Sequence, residues 1–330
     1  MAMTLAQFRE GMSDKVAQQI ADIWIRESEI LQMLQFDDCV SPQGGSTLTY
    51  AYVQKKLPSV ATFRAINKEY EANEATLERK TADLKIFGGK FAMDRVLKAA
   101  EGRYNNMAFQ VQEKILSAIS LFHYTMVNGN STTNTDEFDG LDKMLAGTTS
   151  EYNTTGVLDI STMENLKANA DAFYEALQIL IKNSKADALL MNASTLAKVQ
   201  TMARVLGYKT ESEEAFGRKV QTMDGVRLMD LGNHYTIDGG AVKANSVVQS
   251  GLTRSVGGAE TTGLTDIYAV KFDVNDGFHA ASLAGTSAIS QYLPDFTQAG
   301  AVKDGEVEMV AATVLKNTQH AGVLRNIKLA

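Results

Sequence analysis

Four histidines, one cysteine and a pair of neighbouring aspartates are the residues of this 330-residue chain whose types could support metal or nucleophilic chemistry. His279 follows Asp273 and Asp276 at a spacing that suggests a cation site. A calcium loop needs further oxygen ligands and a distal glutamate. The run Asp273-Val274-Asn275-Asp276-Gly277 lacks them and reads as a solvated turn between strands. His123, His234 and His320 stand singly. His123 falls in a helical stretch with no second ligand three or four residues on, so it reads as a packing or surface residue rather than half of a metal pair. Cys39 has no paired histidine to activate it as a nucleophile. The chain contains no G-x-S-x-G, no G-x-x-x-x-G-K-[ST], no G-x-G-x-x-G after a strand and no H-E-x-x-H. No catalytic, cofactor-binding or metal-binding residue is expected.

Bulk properties narrow the class. Hydrophobic residues make up 45% and charged residues 22% of the chain, as in ordinary globular proteins. A net charge of −7 argues against tight nucleic-acid binding by the protein as a whole, although a container for nucleic acid has no need to grip its contents. A single cysteine cannot form an intramolecular disulfide. Met1 to Gly11 carries Arg9 and Glu10 and no apolar stretch of signal-peptide type. No apolar run approaches the ~18–20 residues of a membrane helix. The chain reads as soluble and cytoplasmic.

The elements that would position these residues follow from periodicity. From Leu5 to Leu34, Val16, Ile20, Ile23, Trp24, Ile30, Leu31 and Leu34 recur at helical steps. This arm needs a surface to cover its stripe, on the body or on a neighbour, and Trp24 is expected to be buried there. Tyr104 to Val127 is the strongest helix pattern, with Met107, Val111, Ile115, Ile119, Phe122 and Met126 in one stripe. Asn105 or Asn106 is placed to cap its start, and Asn128-Gly129-Asn130 supplies the stop. Twenty-four helical residues span ~36 Å. A second helix is predicted from Ser161 or Thr162 to Ile181, a strand at Ala188 to Met191, an N-cap at Asn192 or Ser194, and a helix over Leu196 to Leu206. Val226 to Met229 reads as a strand and Gly239 to Gly263 as loop. Strands follow at Ile267 to Phe272, Phe278 to Leu283, Ala288 to Tyr292, Glu306 to Leu315 and Gly322 to Leu329.

Between the arm and the long helix lies a different kind of segment. After a turn at Ser41-Pro42-Gln43-Gly44-Gly45, Ser46 to Gln54 alternates, with Leu48, Tyr50 and Tyr52 on one face. A return strand runs from Thr76 to Phe87, and Gly88-Gly89 is expected to end the projection. Lys55 to Ala75 between them is largely polar. A nine-residue strand reaches ~30 Å, so the pair forms a long hairpin standing off the body. Such a hairpin buries too little apolar surface to be stable alone and exposes unpaired edges. It makes physical sense when a neighbouring subunit covers it. Its tip, Leu57-Pro58-Ser59-Val60-Ala61-Thr62-Phe63-Arg64-Ala65-Ile66-Asn67, resembles the LP-x-x-x-x-FR-x-IN run of tailed-phage major capsid proteins, whose fold encapsulin compartments also use. Phe138-Asp139-Gly140-Leu141, Leu189-Leu190-Met191-Asn192, Ile267 to Phe272 and Val323-Leu324-Arg325-Asn326-Ile327 are similar to further family segments, in the family's order.

The resemblance implies an α+β capsid fold with an N-terminal arm (1–40), an extended β-hairpin loop (41–89), a peripheral domain with the long spine helix (90–185), an axial domain (186–285) and C-terminal strands returning to the peripheral domain (286–330). It implies a non-enzymatic major capsid protein, assembling as hexamers and pentamers of an icosahedral phage head around double-stranded DNA that it contacts weakly and non-specifically. No cofactor is expected. Partners would be other copies of the chain, a separate scaffold protein, a portal and decoration proteins. Trp24, Leu57, Pro58, Phe63, Arg64, Asn67, Lys68, Glu69 and Glu71 are the expected subunit-contact residues. Some family members crosslink a hairpin lysine to a neighbour's asparagine. Lys55, Lys56 and Lys68, with Asn317 or Asn326, have the right types, but no catalytic glutamate is identifiable and crosslinking is not expected. An encapsulin-like shell is the alternative, and an α/β metabolic enzyme a more distant one that would require polar groups converging in one pocket.

Overall fold

The computed structural model describes residues 30, 33–40, 45–99, 106–207, 211–215, 218–283, 288–297 and 299–330. Most of the expected N-terminal arm, Trp24 included, lies outside the described residues, as do Asn105 and most of the turn before the hairpin. Strand β1 (Phe36–Asp38) leads to β2 (Thr49–Leu57) and β3 (Thr76–Asp83), and β4 (Lys85–Asp94) returns to the body. A short α1 (Arg95–Ala99) precedes the long α2 (Asn106–Asn128), then α3 (Leu141–Leu145), β5 (Glu151–Tyr152) and β6 (Leu158–Asp159). Helices α4 (Met163–Ala168) and α5 (Ala170–Ser184) come next, followed by β7 (Ala188–Met191) and α6 (Ala193–Val205). Strands then dominate: β8 (Glu211–Ala215), β9 (Arg218–Met223), β10 (Val226–Asp230), β11 (Asn233–Asp238), β12 (Ala241–Ser246), β13 (Ser250–Val256) and β14 (Ala259–Val270). The chain closes with β15 (Phe278–Ser282), β16 (Ile289–Tyr292), β17 (Val302–Leu315) and β18 (Ala321–Lys328). The architecture is mixed α+β, and no helix among the described residues is long and apolar enough to cross a membrane.

The largest sheet is a wall between two cores. Its strands run β5-β18-β14-β7-β10-β9-β8, with β13 also on β14 and β6 on β18. Successive strand residues face opposite ways, and on β7 both faces are apolar. Ala188 and Leu190 enter one core while Leu189 and Met191 enter the other. Strand β14 repeats the division, with Tyr268 and Val270 on the first side and Ile267 and Ala269 on the second. This is why these segments read as continuous hydrophobic runs rather than alternating ones. The first core is built on α2, whose Val111, Ile115, Phe122 and Met126 pack with Phe91, Phe278 and Met309. Phe122 stacks with Phe87 at a centroid distance of 6.2 Å and packs at a tilt against Phe138 at 5.8 Å. The second core is built on Phe173, Leu177 and Leu180 of α5 with Val199 and Met202 of α6.

Three local expectations change in the tertiary structure. The helix predicted from Thr162 to Ile181 is two helices, because Asn169 donates its amide to the Asp159 carbonyl (2.8 Å) and turns the chain. Thr162 caps the first of them, accepting from the Asn165 N–H at 3.1 Å. The Gly-rich stretch from Gly239 to Gly263 is three strands rather than loop, since Gly239-Gly240 and Gly257-Gly258 sit at positive φ in tight turns that L-residues resist. Gly88 and Gly89 do not end a projection. They lie inside β4, paired to Glu308 and Val307 of β17, where a Cβ on Gly88 would collide with the Val307 carbonyl.

Candidate assembly interface

Strands β2 and β3 form a sheet of their own, paired from Thr49↔Asp83 to Leu57↔Thr76 with a register shift between Lys55 and Leu57. Among the described residues, side-chain bonds to the body are made at the root. The Tyr50 hydroxyl bonds the Asp37 carboxylate, Tyr52 donates to the Leu315 carbonyl at 3.3 Å, and Gln54 donates to the Lys316 carbonyl at 3.0 Å. Tyr50, Tyr52 and Gln54 therefore share the inward face, whereas Leu48, predicted to join them, is 54% exposed. Beyond Gln54 the ribbon is in solvent. A cleft of about 450 Å³ opens beside the root, lined by Tyr52, Arg79, Asp83, Phe138, Met144 and Leu315 among others.

The tip holds its shape by polar contacts of its own. Asn73 accepts from the Val60 N–H and donates to the Val60 carbonyl, both at 2.7 Å, so one side-chain amide replaces a missing rung of backbone pairing. Arg64 donates to the carbonyls of Lys68 (3.3 Å) and Ala65 (3.4 Å), with its guanidinium 5.4 Å from the Tyr70 ring centre. Asn67 takes a left-handed conformation, φ 65°, which asparagine tolerates better than most residues. These contacts fold the segment back and turn its apolar side chains outward. Leu57, Val60, Phe63 and Ile66 are all exposed, Phe63 completely. Pro58, Lys68, Glu69 and Glu71 are exposed as well. Every expected contact residue within the described part thus stands on one projection. Asn73 was not among them; nothing in the sequence separates it from the surrounding glutamates.

The residues with chemical potential are dispersed through the body. His279 is fully buried beneath the hairpin root, edge-on to Tyr50 at 5.5 Å, and among the described residues neither ring nitrogen has a partner at good hydrogen-bond geometry. Burial, and then the charge of Lys316, push it down to about 4, so it is neutral at pH 7. Burial likewise pushes His123 down to about 4. His234 bonds Ser120 on α2 at 3.1 Å, and His320 lies 3.0 Å from the Asp276 carbonyl. Cys39 is buried and its thiol raised to about 11, first by burial and then by Asp37 and Asp38, which leaves it poorly nucleophilic. Asp273 accepts from the Asn275 N–H (2.8 Å), and Lys271 pairs with Asp273 and Asp276 at 3.4 and 3.1 Å, a turn rather than a cation loop. Among the described residues no three metal-ligating side chains converge.

The short motifs near the end of the chain have structural work of their own. Asp266, 2% exposed, receives both guanidinium nitrogens of Arg254 at 2.6 Å. Arg325, also buried, donates to Asp266 (2.9 Å) and Glu151 (2.8 Å) and pairs with Asp142. Strand β18 bulges here, and Asn326 sits at φ 58°. The bulge brings Ile327 to the same core as Leu324 and lets Arg325 reach the carboxylates. Asn326 is itself buried, its amide donated to the carbonyls of Asn153 and Thr154 at 3.0 and 3.2 Å. Gly140 donates to the Gly129 carbonyl at 2.8 Å where no Cβ would fit. Asn192 caps α6 through the Thr195 N–H at 2.8 Å.

No protein-family model and no curated protein matches the sequence. Solved structures match along nearly its whole length. The chain is similar to the holo-SrpI encapsulin complex of Synechococcus elongatus PCC 7942 with a TM-score of 0.56 and 11% identity, over 91% of this chain and 88% of that one. It is similar to Mycobacterium phage Ogopogo with a TM-score of 0.56 and 15% identity, over 90% and 91% of the two chains. The capsid of a native GTA particle gives 0.55 and 12%, over 90% and 89%. The chain has the tailed-phage major capsid fold that encapsulins share.

Proposed function

We propose that this chain is the major capsid protein of a tailed phage, forming hexamers and pentamers of an icosahedral head that encloses double-stranded DNA. The observation that carries the reading is the projecting hairpin, whose apolar tip is in solvent on a chain with the capsid fold. Exposed apolar side chains on a ribbon fastened at its root are a cost to a monomer and a gain to an assembly. Leu57, Pro58, Phe63, Arg64, Asn67, Lys68, Glu69 and Glu71 make the inter-subunit contacts, and Trp24 docks the arm. Residues 1–40 serve as arm, 41–89 as extended loop, 90–185 as peripheral domain, 186–285 as axial domain and 286–330 as returning strands. Obligate interfaces of this kind bury on the order of 2,000 Å² or more. A net charge of −7 suits a wall that contacts packaged DNA weakly. A separate scaffold, a portal and decoration proteins are the remaining partners, assembly taking place in the host cytoplasm.

A second reading is an encapsulin-like shell around a protein cargo, favoured by an encapsulin matching with the same TM-score as a phage. Light scattering and negative-stain microscopy of the purified chain, with nuclease-protected DNA and co-purifying protein assayed in the same particles, test both. Closed shells protecting DNA support the phage reading, and shells carrying a protein cargo support the second. A monodisperse monomer or dimer at all concentrations, with crowding agents and with scaffold, overturns both. Arg64→Ala, and deletion of Leu57 to Asn67, are expected to give folded subunits that assemble poorly or not at all; normal assembly removes the tip from the interface.

A further inference from the structure

A second, smaller hairpin carries its amphipathicity the wrong way round for a monomer. Strands β11 and β12 pair from Asn233↔Ser246 to Asp238↔Ala241 across the Gly239-Gly240 turn. Among the described residues neither strand belongs to a larger sheet. Strand alternation places His234, Thr236, Lys243 and Asn245 on one face and Tyr235, Ile237, Val242 and Ala244 on the other. The polar face is the one turned to the body: His234 bonds Ser120 and lies 5.1 Å from the Tyr124 ring on α2. The apolar face is in solvent, with Tyr235 60%, Ile237 79% and Val242 71% exposed.

Beyond Asn233, whose carbonyl accepts from Ser120 on α2 at 3.4 Å, the backbone edges of the hairpin carry no strand partner among the described residues. A two-residue turn makes Asp238↔Ala241 a hydrogen-bonded pair, and such pairs alternate along an antiparallel ladder. The N–H and C=O groups of Tyr235, Ile237, Val242 and Ala244 therefore point outward from the hairpin. The two edges also differ in charge. Asp238 on β11 and Lys243 on β12 are the charged residues of the two strands, both exposed and on the same face.

We propose that β12 of one copy pairs edge to edge with β11 of the next, continuing the antiparallel order and joining the exposed apolar faces into one surface around a capsomer. The occupant is a second copy of this chain. One hairpin supplies both complementary edges, and pairing them sets Lys243 of one copy opposite or diagonal to Asp238 of its neighbour. A head-to-tail contact of this kind closes into a ring when the rotation permits. The inference rests on the shell reading above and names a contact that the long hairpin does not make.

Val242→Pro removes an outward N–H without touching the bonds inside the hairpin. Circular dichroism and urea midpoint are expected to match the wild type, while rings and closed particles are lost in light scattering and microscopy. Asp238→Lys and Lys243→Asp are each expected to lose particles when assembled alone and to recover them when the two proteins are mixed. Mixing restores opposite charges only between copies, never within one hairpin. Wild type that assembles alongside a Val242→Pro protein assembling equally well, or charge variants not rescued by mixing, overturns the edge pairing and leaves the shell reading intact. Wild type that never assembles defeats the shell reading itself.

Discussion

The wall strands and the long hairpin are built from similar residue types and put them to opposite uses. On β7, β14 and β18, valine, leucine, isoleucine and methionine are almost wholly buried, and the buried charges of Asp266 and Arg325 are neutralised by ion pairs. On the hairpin beyond its root, leucine, valine, phenylalanine and isoleucine stand in solvent, and the tip is shaped by hydrogen bonds from Asn73 and Arg64. The contrast separates residues that stabilise the subunit from residues that, under the proposed function, act only when a second subunit arrives. Stability and assembly should therefore respond to different mutations.

The largest effect on stability is expected at the wall. Arg325→Ala leaves Asp266 without one of its two guanidinium partners in a site 2% exposed, and should cost about 3–5 kcal/mol in urea unfolding. A loss under ~1 kcal/mol would mean that Arg254 suffices and that the contrast between regions is weaker than drawn.

Acid should act next, at His279 beneath the hairpin root and at His123 on α2. His279 and His123 have folded values of about 4, below the ordinary histidine value, so the unfolded chain binds more protons between the two. Their contribution to stability is complete above ~6.5 and is lost as pH falls toward 4. Urea midpoints measured from pH 7 to pH 4 should fall, and His279→Phe should flatten the slope because it removes one of the two groups. An unchanged slope would mean that His279 is not held neutral by its burial.

Smaller still, Asn73→Ala should cost the subunit no more than ~1 kcal/mol. Its signature is faster exchange of the Val60 amide, while α2 amides keep their protection. At the bottom of the scale, Phe63→Ala should leave the urea midpoint within ~0.5 kcal/mol of wild type and still reduce assembly. A clear destabilisation there would show that the tip packs on its own subunit, and the comparison would fail.

Much of this division is legible in the sequence. The stripe Val111 to Met126 reads as a wide-faced helix, Ala188 to Met191 as a strand and Asn192 or Ser194 as a cap, because each is a local pattern; of the two cap candidates the structure uses Asn192. The hairpin is legible too, since a polar, alternating segment too long for a turn has few other forms. Within the candidate interface Leu57 to Asn67 stands out as an unusual run, whereas the clamp from Asn73 to Val60 does not, because it joins residues thirteen apart by a side-chain amide.

The chain by itself determined the long helix, the strand at Ala188 to Met191, the outward hairpin and the dispersal of its histidines, all of them set by neighbours close in sequence. Tertiary structure alone decided that one sheet would divide two cores, that Gly88 and Gly89 would lie inside β4 paired to β17 rather than end the projection, and that Arg325 would meet Asp142, Glu151 and Asp266. It also decided that β11 and β12 would turn their polar face to α2. These outcomes depend on strands and side chains brought together from distant parts of the chain, and on which face of each the rest of the fold leaves uncovered. Local periodicity records which residues alternate; only packing selects the side that meets the body.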